Sequence, residues 1–113
     1  MQDSGHLLAC GELTIDIPAW EVRAGSRIVN LTKTEFELLV VLATSPRKVV
    51  THDDLTRTVW GDGWFGDDGN LAVHISRLRR KLGESGLSQR LIRTIRGVGY
   101  RFNPQDLPAG GWP

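Results

Sequence analysis

The spacing of apolar residues changes character twice along this chain. Over residues 7–31 it comes in short alternating or β-branched runs, at 7–10, 13–17, 20–23 and 27–31, divided by Gly11 and Glu12, by Pro18 and Ala19, and by Ala24, Gly25 and Ser26. Short runs of this kind bounded by turn formers predict a small antiparallel meander of four strands. The pattern then becomes nearly continuous, with Phe36, Leu38, Leu39, Val40, Val41, Leu42 and Ala43 apolar. A helix apolar nearly all round belongs in the centre of a core. Thr32 and Glu35 have the spacing of a capping box, so this helix starts after Thr32. Pro46 disfavours the helical conformation at Ser45 and stops it. Lys48, Val49 and Val50 predict one extended step. Thr51 and Asp54 repeat the capping spacing ahead of a short helix with Leu55 and Val59 inward, ending near Trp60 and Gly61.

The third pattern is the most informative. Over residues 70–82, at about 100° per residue, Leu71, Ile75, Leu78 and Leu82 fall on one narrow stripe, while Val73, Ser76, Arg77 and Arg80 gather opposite. One face packs and the other is free to touch a partner. The segment before it, 62–68, is broken by glycines and carries Asp62, Trp64, Phe65, Asp67 and Asp68. It reads as an acidic loop whose aromatics either meet a partner or tuck into the core. Beyond Gly83 a loop leads to residues 91–95 and 100–102, which pair as a hairpin across Arg96, Gly97, Val98 and Gly99. The organisation predicted is a flexible start (1–6), one domain (7–103) and a Pro/Gly-rich tail (104–113).

Composition narrows the function. The 113 residues, 40% hydrophobic and 24% charged, suit one globular domain. No apolar run reaches membrane-spanning length and the first residues lack a signal pattern, so a cytoplasmic protein without membrane contact is expected. Cys10 is the sole cysteine, which excludes an internal disulfide. The net charge of +1 conceals a dipole: residues 1–56 carry −3 and residues 57–113 carry +4. Between Gly69 and Arg101 there are eight basic residues against Glu84 alone. Basic charge concentrated on a helix and the hairpin after it points to an anionic partner.

The titratable residues do not converge as an enzyme requires. His6, His52 and His74 lie in different elements, and neither metal-ligand spacing nor a phosphate-cradling glycine loop occurs, so neither catalysis nor a cofactor is expected. His74, on the flank of the apolar stripe, reads as a packed, hydrogen-bonded side chain. A helix apolar behind and arginine-rich in front fits the DNA major groove. Arg77 and Arg80 can donate to guanine edges or phosphates, Asn70 can pair with adenine, and the exposed Val73 suits a thymine methyl. Arg79 and Lys81 diverge to the flanks, toward phosphates. Arg96, beside Gly97 at a narrow tip, suits the minor groove.

These residues together carry a resemblance. Leu31 to Leu39, Thr51 to Leu55, Val59 to Gly61, Val73 to Leu82 and Ile92 to Phe102 are similar to the OmpR/PhoB-type winged helix-turn-helix domain, the effector half of bacterial two-component response regulators. The resemblance implies an α+β fold: an N-terminal four-stranded antiparallel sheet, three helices and a C-terminal hairpin wing. It implies sequence-specific double-stranded DNA binding with 70–82 as recognition helix in the major groove and 92–102 as wing in the minor groove. It further implies a backbone contact by Trp60, a loop at 61–68 that touches RNA polymerase, and two copies side by side on promoter direct repeats. A receiver domain and a sensor kinase are implied as partners, neither of them expected within this chain. The chain departs from its relatives at Gly69, where an arginine is frequent, and at His52 and Ser76, where basic residues are frequent. The competing expectation is a winged helix used for protein interaction, through its basic face or the 61–68 loop.

Overall fold

The computed structural model describes residues 7–10, 13–61, 68–84 and 91–103. Four strands, β1 (Leu7–Cys10), β2 (Leu13–Asp16), β3 (Glu21–Ala24) and β4 (Arg27–Ile28), form an antiparallel sheet in chain order. Its inner face presents Leu13, Ile15, Val22 and Ala24, all buried, as strand alternation requires. The turn between β2 and β3 closes with the Trp20 N–H donating to the Ile17 carbonyl at 3.0 Å. Trp20 adopts a positive φ of 54° there, and its ring stacks on Phe36 at 4.7 Å.

Helix α1 (Lys33–Ala43) starts at the full capping box. Thr32 Oγ1 accepts from the Glu35 N–H at 3.2 Å and Glu35 Oε1 accepts from the Thr32 N–H at 3.0 Å. Phe36, Leu38, Leu39, Leu42 and Ala43 are buried, so the helix occupies the centre of the core as its composition demands.

Strand β5 (Val49–Thr51) runs directly into α2 (His52–Trp60). Only half of the expected second capping box forms. Thr51 Oγ1 accepts from the Asp54 N–H at 3.1 Å, but the shorter Asp54 side chain pairs instead with Arg57, also at 3.1 Å. Helix α3 (Asp68–Glu84) is longer at both ends than the predicted 70–82 and includes Gly69 and Gly83. An internal glycine costs about 1 kcal/mol relative to alanine. Burial of Leu71, Ile75, Leu78 and Leu82 offsets that cost.

The hairpin strands β6 (Ile92–Ile95) and β7 (Gly99–Phe102) pair as predicted, with β7 also paired to β5, giving a second sheet in the order β5-β7-β6. The architecture is the predicted α+β arrangement, with a three-stranded wing sheet where a two-stranded hairpin was expected. Gly99 lies in β7 rather than at the tip, and its role is internal. A Cβ there would overlap the Val50 carbonyl and stand 2.8 Å from Thr51 Cα. Gly99→Ala is therefore expected to destabilise the domain by about 3 kcal/mol, the upper end of ordinary point substitutions, as measured by urea unfolding. Gly97→Ala, with open space around it but φ +78°, should cost only about 1–2 kcal/mol.

Candidate nucleic-acid interface

The buried stripe of α3 packs on α1, which turns Val73, Ser76, Arg77 and Arg80 outward. All four are exposed, and Val73 keeps 44% of its surface in contact with solvent. Arg77 and Arg80 have no partner among the described residues. An exposed aliphatic side chain on the same helix face as two arginines that are unpaired among the described residues suits a partner that is both anionic and locally apolar.

The wing tip lies across the turn Arg96, Gly97 and Val98, closed by the Val98 N–H donating to the Ile95 carbonyl at 2.9 Å. Gly97 supplies the positive φ, while Arg96 and Val98 are exposed. The tip thus repeats on a smaller scale the combination on α3, one arginine beside one aliphatic residue.

A layered contact ties the wing to the helices. Arg79 spans from α3 to β6, its Nε donating to the Ile92 carbonyl at 3.0 Å and its Nη2 to Thr94 Oγ1 at 2.6 Å. Its guanidinium lies 5.7 Å from the centre of the Tyr100 ring, and the His52 ring stacks nearly parallel to Tyr100 at 5.5 Å. The His52 N–H also donates to the Val98 carbonyl at 3.1 Å, joining the start of α2 to the wing turn. The relative placement of α2, α3 and wing is therefore held by specific bonds as well as by packing.

Lys81 is likewise turned inward. Its Nζ donates to Glu35 Oε1 at 2.7 Å, and the Glu35 side chain is 1% exposed. Burial alone would raise the Glu35 carboxyl, but the Lys81 bond and charge and the Thr32 backbone donor outweigh it and hold the carboxyl below its usual value. Arg79 and Lys81 thus depart from the expected flanking positions, because each finds a strong internal acceptor.

The remaining predicted positions divide by place in the fold. Trp60 is half-buried at the end of α2, with its ring 5.8 Å from that of His74. His74 is packed as expected, but its buried Nδ1 lacks the expected hydrogen-bond partner among the described residues. Asp68, Gly69 and Asn70 form the start of α3, with side chains outside the described set. Asp62, Trp64, Phe65 and Asp67 lie outside the described residues altogether. Among the described residues no cluster of metal-ligating side chains occurs, and no helix is long and apolar enough to cross a membrane.

Sequence reasoning missed the inward roles of Arg79 and Lys81. For Lys81 a signal existed, since it lies about 60° from Leu78 on the helix, at the edge of the packed stripe. For Arg79 the acceptors are set by long-range strand placement and leave no local trace.

Comparison with known proteins places the fold in a family. Residues 25–102 match the family described as "Transcriptional regulatory protein, C terminal". The chain is 38% identical over 102 residues to the DNA-binding response regulator MtrA of Mycolicibacterium smegmatis, covering 90% of this chain and 45% of MtrA. It is 40% identical over 100 residues to the transcriptional regulatory protein CseB of Streptomyces coelicolor, covering 88% of this chain and 41% of CseB. It therefore spans less than half the length of either relative. The Klebsiella pneumoniae RstA DNA-binding domain, solved in complex with the RstA box, superposes with a TM-score of 0.78 at 34% identity, covering 88% of this chain and 98% of that one. This chain belongs to the family of C-terminal, OmpR/PhoB-type winged-helix effector domains of transcriptional response regulators.

Proposed function

We propose that the domain binds double-stranded DNA sequence-specifically, with α3 in the major groove and the wing tip in the minor groove. The observation that carries this reading is that Val73, Ser76, Arg77 and Arg80 share one exposed face, whose two arginines have no partner among the described residues. Arg77 and Arg80 read guanine edges or phosphates, Val73 meets a thymine methyl, and Asn70 at the start of α3 reaches adenine. Arg96 enters the minor groove beside Gly97, and Trp60 lies against the phosphate backbone. Arg79 and Lys81 serve this binding by positioning, the former fixing the wing and the latter fixing α3 on α1. The regulatory setting is the one the OmpR/PhoB resemblance implies: a receiver domain controlled by a sensor kinase, two copies side by side on direct repeats, and RNA polymerase touched through residues 61–68.

Selection of duplexes from random DNA, followed by mobility-shift titration at increasing salt, tests this. With about four phosphates neutralised, affinity should fall on the order of a hundredfold between roughly 50 and 200 mM salt. Arg96→Ala should weaken binding and reduce the salt slope by about one. The competing protein-interaction reading requires negligible duplex binding even at low salt, and that result would replace the present one.

A further inference from the structure

An apolar groove lies apart from the arginine face of α3. Ile17, Trp20, Phe36, Val40, Val41 and Val59 line it, contributed by the turn after β2, by α1 and by α2, and it encloses about 220 Å³. Neither α3 nor the wing contributes to its lining. The volume falls below the roughly 300–1,000 Å³ usual for a small-molecule site, so the groove suits one large side chain rather than a cofactor. Two polar residues complete the lining, Glu37 and Thr58, and the side-chain oxygens of both can accept a hydrogen bond. Lys33 engages one Glu37 oxygen at 3.1 Å, and the other has no partner among the described residues.

Trp20 marks the groove as more than a packing fault. A bulky residue at positive φ is sterically strained, and Trp20 holds φ 54° while remaining 53% exposed. Its ring stacks on Phe36 at 4.7 Å, so the two form one aromatic wall. Aromatic-lined grooves of this kind take proline-containing segments, whose restricted backbone loses little freedom on docking. The chain itself carries such a segment. Residues 104–113 include Pro104, Leu107, Pro108, Trp112 and Pro113 and no basic residue. The strand that leads into them reaches the C-terminal end of α1, where the Arg47 N–H donates to the Phe102 carbonyl at 2.8 Å. Val40 and Val41 line the groove from that same last turn of α1. Trp112 stands nine residues beyond Asn103, about 28 Å in extended polyproline form, against about 16 Å for all of α1.

We propose that the segment after β7 folds back over α1 and seats the Trp112 indole in this groove. The ring lies between the Trp20 wall and the methyl groups of Val40, Val41 and Val59, and its N–H donates to Glu37 or Thr58. An indole is a large apolar body with a single donor that needs an acceptor when buried, and the groove offers that combination. The contact pins the end of β7 to the turn after β2 and to α2 without covering the face that reads DNA. It stands independently of the DNA-binding reading.

The test uses the full chain with labelled valine methyls and labelled tryptophan. Nuclear Overhauser contacts are expected between the Trp112 indole and the methyls of Val40, Val41 and Val59, with intensities independent of protein concentration. Trp112→Ala should remove these contacts and leave duplex affinity unchanged. A synthetic peptide of residues 104–113 should bind that variant several-fold more tightly than wild type, whose tethered segment competes at the high effective concentration of a short linker. Val41→Lys, at a half-buried wall from which a lysine can reach solvent, should also lose the contacts and should not take up the peptide. Contacts that grow with concentration would assign the groove to a second copy, and contacts from Trp64 in place of Trp112 would assign it to the loop before α3. Either result overturns the proposal. So would the absence of contacts from Trp112, or a peptide that binds wild type and Trp112→Ala equally or binds neither.

Discussion

Arg77→Ala should cost about 1–3 kcal/mol in binding to the selected duplex, roughly 5- to 150-fold, while changing affinity for random duplex far less. The asymmetry follows from where Arg77 stands. It is exposed in the middle of the outward face of α3, next to Ser76 and one turn from Val73, with no acceptor among the described residues to hold it. A base-reading arginine placed this way supplies discrimination, and its removal should relax preference at a single base pair. Parallel titrations against the selected duplex, its single-base variants and random DNA check this. An equal loss on all of them would instead assign Arg77 to the phosphates.

The second large effect concerns stability. Lys81→Met removes the cation that faces Glu35 and leaves a carboxylate buried at the junction of α1 and α3. Breaking a fully buried pair costs roughly 3–5 kcal/mol. Because the Lys81 side chain is 34% exposed, about 2–3 kcal/mol is expected here. The sign of the pH dependence is determined by the Glu35 carboxyl. In the native chain it lies below the ordinary value of 4.5, so its stabilisation is complete above that value and is lost as pH falls through the lowered one. In Lys81→Met burial dominates and raises the carboxyl, so the penalty is greatest near neutral pH. It should shrink as acid protonates Glu35. Urea unfolding from pH 7 down to pH 4 should therefore show the two chains converging. Adding Glu35→Gln to Lys81→Met should recover part of the loss, since the buried charge is then gone.

The contrast between these two basic residues shows what was legible beforehand. The stripe of Leu71, Ile75, Leu78 and Leu82 was visible from its period, and the outward Val73 and Arg77 follow from it geometrically. The first capping box was equally plain, because Thr32 and Glu35 need only each other and a local backbone. Lys81 was harder, since its acceptor is 46 residues away and the sequence offers no pairing rule over that distance. Strand β5 shows the same limit. Three residues make no period, and Val49 to Thr51 become a strand only because β7 presents a free edge to them. The glycines misled in both directions. Gly69 and Gly83 looked like breakers but are carried inside α3 by its packed stripe, whereas Gly99 looked like part of the tip but is needed where β7 presses on β5.

The central claim is that α3 and the wing tip act as one surface toward DNA. Backbone amide chemical shifts, followed while the selected duplex is titrated into labelled protein, test it most directly. The largest changes should cluster at Val73, Ser76, Arg77, Arg80 and Arg96 to Val98, with the core of α1 nearly unmoved. Changes confined to the N-terminal sheet or to residues 62–67, with α3 unaffected, would contradict it.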